Sequence, residues 1–352
     1  MFFYQEDCVA KRPTIRDLAA AAGVSIATVD RVLNRREPVR EETARLVYDA
    51  AKTIGYHAVS LLRQRVFEDL PQYRLGFILQ RPNQAFYQML EKEIEAAAKA
   101  NTQARIVPDI HFVSSTTPTA IVEAMKLLAS RNSAVAVVAP DYPAVTVAVE
   151  ELHDAGIPVF SMLTDIAGGV RRGYIGLNNV RVGRTAAWLI ATAVPERQGK
   201  VACFVGSYRY HGHELREAGF RSYLREHAPT LEVVETVVNL ETPEFTHEAT
   251  INLLKDHPDL VGFYVSGGGM EGAISAVREE GMAGKLAIVV NELTPDSRSA
   301  LNDGVVTMVL ATPMGALCSD LLSLMVRAVD STDDPIPGQT FVPFNIFVSE
   351  NV

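Results

Sequence analysis

From residue 73 onward, short apolar segments alternate with amphipathic segments. Ten apolar runs predict strands, at 75–80, 105–113, 134–140, 157–163, 174–177, 200–206, 233–238, 260–267, 286–292 and 305–312. Amphipathic stretches between them predict helices, at 84–100, 118–130, 142–155, 180–193, 213–227, 243–256, 270–281 and 313–329. This alternation is typical of parallel sheets covered by helices on both faces. Ten strands are too many for one small sheet, so we expect an α/β body of two doubly wound parallel-sheet lobes.

The N-terminal pattern is purely helical. Residues 14–34, TIRDLAAAAGVSIATVDRVLN, predict two short helices joined by a tight turn. Thr14 opens a capping-box pattern, Gly23 can end the first helix, and Ser25 can cap the second. A third amphipathic helix is predicted after Pro38. Two short helices joined by a glycine-containing turn form the geometry that places the second helix in a DNA major groove.

The distribution of charge fits an N-terminal contact with a polyanion. The whole chain has a formal net charge of −9, but residues 11–65 contain 11 Lys and Arg against 6 acids. That segment therefore carries +5, and the remainder carries −14. A cationic module joined to an acidic body indicates that one end of the chain meets a polyanion such as DNA.

Composition narrows the class of protein further. Hydrophobic residues make up 48% of the chain and charged residues 21%, which is enough to build a large core. No apolar run is long enough to predict a transmembrane helix, and the first residues lack the basic and apolar regions of a secretory signal. Three distant cysteines, Cys8, Cys203 and Cys318, fit no disulfide framework. These features predict a cytoplasmic protein without membrane contact.

The segment TIRDLAAAAGVSIATVDRVLN, followed by Gly55-Tyr56, closely resembles the DNA-binding headpiece of the lactose-repressor (LacI/GalR) family of bacterial regulators. The resemblance implies an all-α helix-turn-helix headpiece, a hinge, and a periplasmic-binding-protein-like body that dimerises. It also implies double-stranded operator DNA as a partner, with repression as the common output. The expected domains are a tail at 1–12, the helix-turn-helix domain at 13–58, a hinge at 59–72, and an effector-binding and dimerisation body at 73–352.

The resemblance assigns DNA contacts by position. Ile26, Ala27 and Arg31 match the base-reading residues of the family, and a guanidinium such as that of Arg31 can bond guanine O6 and N7 together. Five further residues match phosphate-contacting positions: Thr14, Ser25, Thr28, Asn34 and Tyr56. Asp30 stands where the family often has serine, and its carboxylate can pair with Arg31 or Arg35 or accept from a cytosine amine.

The hinge departs from the family pattern. Residues 57–72 read HAVSLLRQRVFEDLPQ, with Arg65 near the position of the leucine that wedges into the minor groove in many members. Arg63 and Arg65 can bind a narrow minor groove electrostatically, while Leu62 or Val66 can wedge a base step. The alternative is a solvated linker helix.

The resemblance also implies that the chain crosses between the two lobes three times. The crossings are expected near 176–180, 303–305 and 331–340. Lobe 1 would then comprise about 73–176 and 305–331, and lobe 2 about 177–304 and 340–352.

Ligands of open α/β lobes bind beyond the carboxyl ends of the strands. Polar and aromatic residues that follow the predicted strands are therefore effector candidates: Asn83, Phe86, Tyr87, Asp165, Arg172, Tyr208, His211, Arg216, Ser266, Asn291 and Glu292. Three of them, Arg216, Ser266 and Glu292, fall on effector-contact positions of the family, where Glu292 replaces a usual aspartate. We expect a small polar effector: a sugar, a polyol or a sugar acid.

Two alternatives to an effector-controlled regulator remain open. Residues 267–272, GGGMEG, satisfy G-x-G-x-x-G, and Glu292 follows 20 residues after Gly272, as in an NAD-dependent dehydrogenase. No nucleophile triad, P-loop or metal cluster accompanies the motif, and His211 with His213 form only a lone H-x-H pair, so we expect no enzyme activity, cofactor or metal. A transport-type sugar-binding protein would share the body but not the headpiece.

Overall fold

The computed structural model describes residues 12–34, 37–66, 70–194, 198–331 and 336–352. The chain divides into two compact units, one comprising the chain up to Gln72 with the short stretch Thr102–Arg105, the other containing the remainder. The predicted N-terminal tail, apart from Arg12, lies outside the described residues, as do Cys8 and Arg35.

Four helices make up the described part of the N-terminal unit: α1 Ile15–Ala22, α2 Ile26–Asn34, α3 Glu41–Thr53 and α4 Val59–Val66. Thr14 and Asp17 form the capping box that starts α1. Gly23 ends this helix with φ 64°, a left-handed conformation that costs glycine little. The predicted helix-turn-helix is therefore present, with the turn where the glycine is.

The core of this unit includes a residue of the predicted hinge. Leu18, Val29 and Val47 are fully buried, and Leu62 of α4 joins them with no exposed surface. The prediction that Leu62 wedges into a minor groove does not hold in this conformation, because its side chain fills the core of the helical unit. The alternative of a solvated linker helix is also incomplete: residues 59–66 are helical, but the helix packs through Leu62.

The body contains two mainly parallel sheets. The first has six strands: β1 Gln72–Gln80, β2 Arg105–Val113, β3 Ala134–Val137, β4 Val159–Met162, β5 Gly173–Gly176 and β12 Gly338–Phe341. Their order is β12-β5-β4-β3-β1-β2. Its helices are α5 Ala85–Ala100, α6 Pro118–Ala129, α7 Pro143–Asp154 and α13 Met314–Asp330. This sheet and its helices form lobe 1.

The second sheet has seven strands: β6 Gly199–Val205, β7 Leu231–Val233, β8 Val237–Val238, β9 Leu260–Val265, β10 Ala287–Asn291, β11 Met308–Ala311 and β13 Asn345–Phe347. Their order is β13-β11-β10-β9-β6-β7, with β8 paired to β6. Strand β13 is antiparallel to β11. The helices of this lobe 2 are α8 Asn179–Ala193, α9 His211–His227, α10 Pro243–Asp256, α11 Met270–Glu279 and α12 Pro295–Asn302, and a short helix follows at Ser349–Asn351.

Two predicted lobe crossings are shifted. Strand β11 pairs with β10 in the second sheet, so the chain returns to lobe 1 only after Ala311, and the prediction of a crossing near 303–305 is wrong. Strand β12 belongs to lobe 1, so the last crossing follows Phe341. Strands β12 and β13 escaped prediction because they lie at sheet edges and are half-exposed or exposed, without the continuous apolar run of a central strand.

Helices α8 and α9 pack unusually closely in lobe 2. A Cβ atom added at Gly183 would lie 1.8 Å from the carbonyl oxygen of Arg216, and one at Gly219 would lie 2.3 Å from that of Val180. Only glycine permits this approach of two helix backbones. This contact fixes the position of α9, and therefore of Arg216, relative to α8.

Replacing Gly183 by alanine should therefore lower the free energy of unfolding of the body by about 1–3 kcal/mol, because α8 and α9 must move apart to admit the added methyl group. Chemical denaturation followed by circular dichroism measures the effect. Gly315→Ala, in helix α13, is the matched control. A Cβ atom at Gly315 would meet only Glu93 Oε2, at 3.4 Å, which is an ordinary contact. Equal stability of the Gly183→Ala protein and the wild type would contradict the role of the glycine contact.

Candidate functional site

A cleft of about 800 Å³, its open mouth included, lies between the two lobes. It is lined by residues that follow the carboxyl ends of strands β1, β3 and β4 in lobe 1 and of β6, β8, β9 and β10 in lobe 2. The strand order of each sheet reverses beside β1 or β6, and open α/β sheets bind ligands at such a point. The lining residues that matter most are Phe86, Tyr87, His213, Arg216, Glu241, Glu271, Asn291 and Glu292.

Five of the eleven predicted effector residues line this cleft: Phe86, Tyr87, Arg216, Asn291 and Glu292. The other six do not: Asn83, Asp165, Arg172, Tyr208, His211 and Ser266. Asn83 and Tyr208 are exposed, and Arg172 lines separate depressions on lobe 1. Strand ends thus located the cleft correctly, but the loop conformations decided which side chains enter it.

Three of the six absent residues are committed to other contacts. Asp165 binds Arg171 through two bonds of 2.5 and 2.7 Å and also accepts from Ser161 and Gln339, which holds the pKa of its carboxyl below the usual range although burial opposes this. His211 is exposed beside Glu214. The hydroxyl of buried Ser266 donates to a backbone carbonyl, so it supports the cleft from beneath.

Arg216 is the cation of the cleft. Its guanidinium is nearly buried and donates from Nε to Asn179 Oδ1 at 2.7 Å and from Nη1 to the Ser266 carbonyl at 2.5 Å. Within the described ranges, Nη2 has no such partner. Two bonds therefore orient the group, and the third nitrogen remains available to a ligand.

Asn291 ends β10 and Glu292 follows it, and both line the cleft. Glu292 has φ 70°, and its carboxylate accepts from the backbone N–H and the hydroxyl of Thr312 at 2.9 and 2.7 Å. Burial raises the pKa of Glu292 in spite of these bonds. Asn291 Oδ1 accepts from the Tyr264 hydroxyl at 2.5 Å, but its buried Nδ2 has no partner in the part of the chain that the structure describes. An unpaired buried donor is costly, so Nδ2 is a strong candidate for ligand contact.

His213 lines the cleft, although only His211 of the H-x-H pair was predicted as an effector residue. Its Nδ1 accepts from the Gly206 N–H at 3.1 Å, and its Nε2 lies 3.5 Å from Glu241 Oε1. Burial, aided by the positive charges of Arg216 and Arg81, lowers the pKa of His213 to about 4 although Glu241 opposes the shift. The ring is therefore neutral at neutral pH. The sequence signal lay in helix phase, because α9 begins at His211 and directs its second histidine inward.

The glycine run after β9 explains the G-x-G-x-x-G match. A Cβ atom at Gly267 would lie 2.5 Å from His213 Cε1 and 3.0 Å from Glu241 Oε1, and Gly269 has φ 89°. A Cβ atom at Gly272 would lie 1.9 Å from the Pro243 carbonyl oxygen. Close packing and one left-handed backbone conformation thus account for the three glycines of the motif. Over the described residues, no three His, Cys, Asp or Glu side chains are grouped as metal ligands.

Direct contacts join the lobes beside the cleft. Arg81 of lobe 1 donates to the carbonyls of Leu240 and Glu241 at 2.9 and 3.0 Å, and its Nη2 lies 3.4 Å from the Glu241 carboxylate. Gln84 also donates to the Glu241 carbonyl, at 3.1 Å. Arg81, Leu240 and Glu241 have φ between 49° and 55°, a costly conformation for residues other than glycine. We name these four residues the lobe clamp.

The helix-turn-helix unit exposes the N-terminal part of α2, where the predicted base-reading residues lie. Ser25, Ile26, Ala27 and Arg31 are exposed, and Arg31 Nε lies 2.9 Å from Glu37 Oε2. The Ser25 hydroxyl accepts from the Thr28 N–H at 3.1 Å, so it caps α2 as predicted.

The other residues predicted to contact DNA differ in their surroundings. Asp30 accepts from Asn34 Nδ2 at 2.6 Å, and Arg31 takes Glu37 as its ion-pair partner. The Thr14 hydroxyl donates to the Asp17 carboxylate at 2.7 Å. Tyr56 is only 7% exposed and packs in the core of the unit. Arg63 and Arg65 are half-exposed on α4.

None of the helices within the described ranges has both the length and the apolar character required to cross a bilayer.

Comparison with known proteins agrees with this two-part organisation. Residues 14–58 match the family of bacterial regulatory proteins called the lacI family, and residues 75–333 match the periplasmic binding protein domain. The transcriptional regulator GalS of Salmonella typhimurium is 24% identical over 338 residues, covering 94% of each chain. The transcriptional regulator RegA of Clostridium saccharobutylicum is 52% identical over 56 residues, 15% of this chain and 17% of its own.

Solved structures of solute binding proteins share the fold of the body. One from Burkholderia graminis, in complex with D-arabinose, is 22% identical with a TM-score of 0.73, covering 80% of this chain and 97% of its own. One from Agrobacterium vitis, bound with α-D-tagatopyranose, is 22% identical with a TM-score of 0.70, covering 79% and 95%. The predicted fold class is confirmed, and the chain belongs to the lacI family of DNA-binding bacterial regulators, its helix-turn-helix headpiece joined to a periplasmic binding protein domain.

Proposed function

We propose that this regulator is a cytoplasmic homodimer without enzyme activity whose operator affinity is set by a small hydroxylated ligand in the cleft between its lobes. The observation that carries the proposal is the presence, in one chain, of a helix-turn-helix unit and a polar cleft with an unpaired buried donor at Asn291. Related solute binding proteins hold sugars such as D-arabinose and D-allose, which supports a sugar-like ligand here. Repression is the expected output.

On DNA, α2 would lie in the major groove with its exposed N-terminal residues against the base edges. Arg31 would leave Glu37 and bond guanine O6 and N7, while Ile26 and Ala27 would contact thymine methyl groups. The N-terminus of α2, capped by Ser25, and the hydroxyls of Thr28 and Thr14 suit phosphate contacts. Asn34 could join them by releasing Asp30.

Replacing Arg31 by alanine should weaken operator binding by about 1–3 kcal/mol and weaken binding to random duplex much less, because the lost contact is to a base. Titrations of both duplexes at one salt concentration measure the difference. Arg16→Ala, which removes an exposed arginine from α1, is the control and should affect both duplexes alike. An equal loss on operator and random DNA after Arg31→Ala would remove Arg31 from the base-reading residues.

We also infer a two-fold assembly, since one headpiece can read only one half of a palindromic operator. Full-length protein should sediment as a dimer at micromolar concentration. A duplex with both half-sites should then bind far more tightly than a duplex in which one half is scrambled, because the second headpiece binds intramolecularly. A monomer that binds both duplexes equally would contradict the assembly.

In the cleft, Arg216 Nη2 and Asn291 Nδ2 would donate to ligand oxygens, and the T-shaped pair of Phe86 and Tyr87 would cover the apolar face of a sugar ring. A ligand held by both lobes stabilises their closed arrangement. The closed form would differ from the open one in the spacing it imposes on the paired headpieces, which couples the two sites by about 1–3 kcal/mol, as is typical of allosteric pairs.

The lobe clamp gives this closure a test that needs no effector. Arg81→Met removes both bonds to the carbonyls of Leu240 and Glu241, so the backbone of 239–246 should exchange its amide hydrogens faster with deuterium in the ligand-free protein. Arg131→Met is the matched control, since Arg131 pairs with Asp109 within lobe 1. Unchanged exchange in Arg81→Met would show that the clamp does not hold the lobes together.

A further inference from the structure

The cleft contains more negative charge than its internal contacts neutralise. Three carboxylates line it, those of Glu241, Glu271 and Glu292, against the single cationic side chain of Arg216 among the lining residues. Two of the three are bound by the protein itself. Glu292 takes both of its bonds from Thr312, and Glu241 accepts from the Gly268 N–H and pairs with Arg81.

Glu271 differs from the other two carboxylates. It lies in the first turn of α11, and within the described ranges its carboxylate meets no partner side chain. Burial raises the pKa of Glu271, and the nearby carboxylates of Asp296 and Glu241 raise it further, although its own backbone N–H opposes the shift. The N-terminus of α11 therefore does not fully compensate the charge of the Glu271 carboxylate. A cation beside that carboxylate would compensate it.

A second observation in the same cleft points to a ligand. Asn291 is only 2% exposed, and its Nδ2 is a buried donor without a partner. It calls for an acceptor oxygen, which a hydroxyl group provides. The aromatic residues Phe86 and Tyr87 line the same space, and an aromatic ring attracts a cation placed over its face.

We propose that the effector is a hydroxylated primary amine, an amino sugar or amino polyol, whose ammonium group pairs with Glu271 and whose hydroxyl oxygen accepts from Asn291 Nδ2. The inference rests on the proposed function and narrows the ligand class of that cleft. It removes sugar acids from the expected effectors, because a ligand carboxylate would meet three protein carboxylates. It also separates this cleft from those of the solute binding proteins that hold the neutral sugars D-arabinose and D-allose.

The test compares ligands that share a sugar ring and differ in charge: a neutral sugar, its amine and its acid. Full-length protein is titrated calorimetrically with glucose, glucosamine and glucuronate, and with the corresponding galactose and mannose trios, at neutral pH. In at least one trio the amine should bind about tenfold or more tightly than the neutral sugar, as expected for a hydrogen bond to a charged group, and the acid weakest. Glu271→Gln should lower the affinity for the amine to about that for the neutral sugar, which abolishes the preference for the amine.

Glu280→Gln is the matched control, because it removes an exposed carboxylate just beyond the other end of α11 and should leave the preference intact. Tighter binding of a neutral or acidic member, a preference that survives Glu271→Gln, or no binding by any trio would overturn the amine proposal. Operator binding is measured on the same proteins. A neutral sugar that binds more tightly than its amine and changes operator affinity would overturn the amine proposal while sustaining the proposed function, whereas absent operator binding would contradict the proposed function itself.

Discussion

The arrangement of the two lobes depends on the contact between the loops at the carboxyl ends of their strands. Parallel strands from both lobes end at one cleft, and the lobe clamp of Arg81, Gln84, Leu240 and Glu241 joins these loops through the peptide carbonyls at 240 and 241. The bonds compensate a backbone that three of the four residues hold at positive φ. Strain that is offset only when the lobes meet can release when they part. Under the proposed function, a ligand in the cleft would shift the balance between this arrangement and one in which the lobes have parted.

The glycine contacts of lobe 2 position residues that line the same cleft. Gly183 lets α8 meet the backbone of Arg216, and Gly267 makes room for His213 and Glu241. Both sets of contacts place polar groups in the cleft with part of their hydrogen-bonding capacity already used: two nitrogens of Arg216, one nitrogen of His213, and the oxygen of Asn291. Such partly satisfied groups are held rigidly and lose little entropy when a ligand completes them.

In the headpiece, polar side chains proposed to contact DNA form exposed pairs with one another or with neighbouring residues. The side chains proposed to touch DNA are paired within the unit, Arg31 with Glu37 and Asn34 with Asp30, at exposed positions where such pairs contribute little to stability. Exchanging these partners for bases and phosphates therefore costs little. Leu62, by contrast, belongs to the core of the unit, so any wedge into the minor groove would first have to expose a fully buried side chain.

The sequence alone determined the fold class, the helix-turn-helix and the edge of the sheets at which the cleft lies, because capping residues, a left-handed glycine and alternating apolar runs act locally. Five of the eleven residues it proposed as effector contacts line the cleft. It could not tell Arg216 from Ser266 or His213 from His211, since those choices depend on helix phase and loop conformation. Only the tertiary structure decided that β11 joins the second sheet, that Leu62 is buried, and that Glu241 from β8 stands opposite Arg81 from β1. The physical reason is distance along the chain: contacts between residues some 160 positions apart arise from packing whole lobes, and no local pattern encodes them.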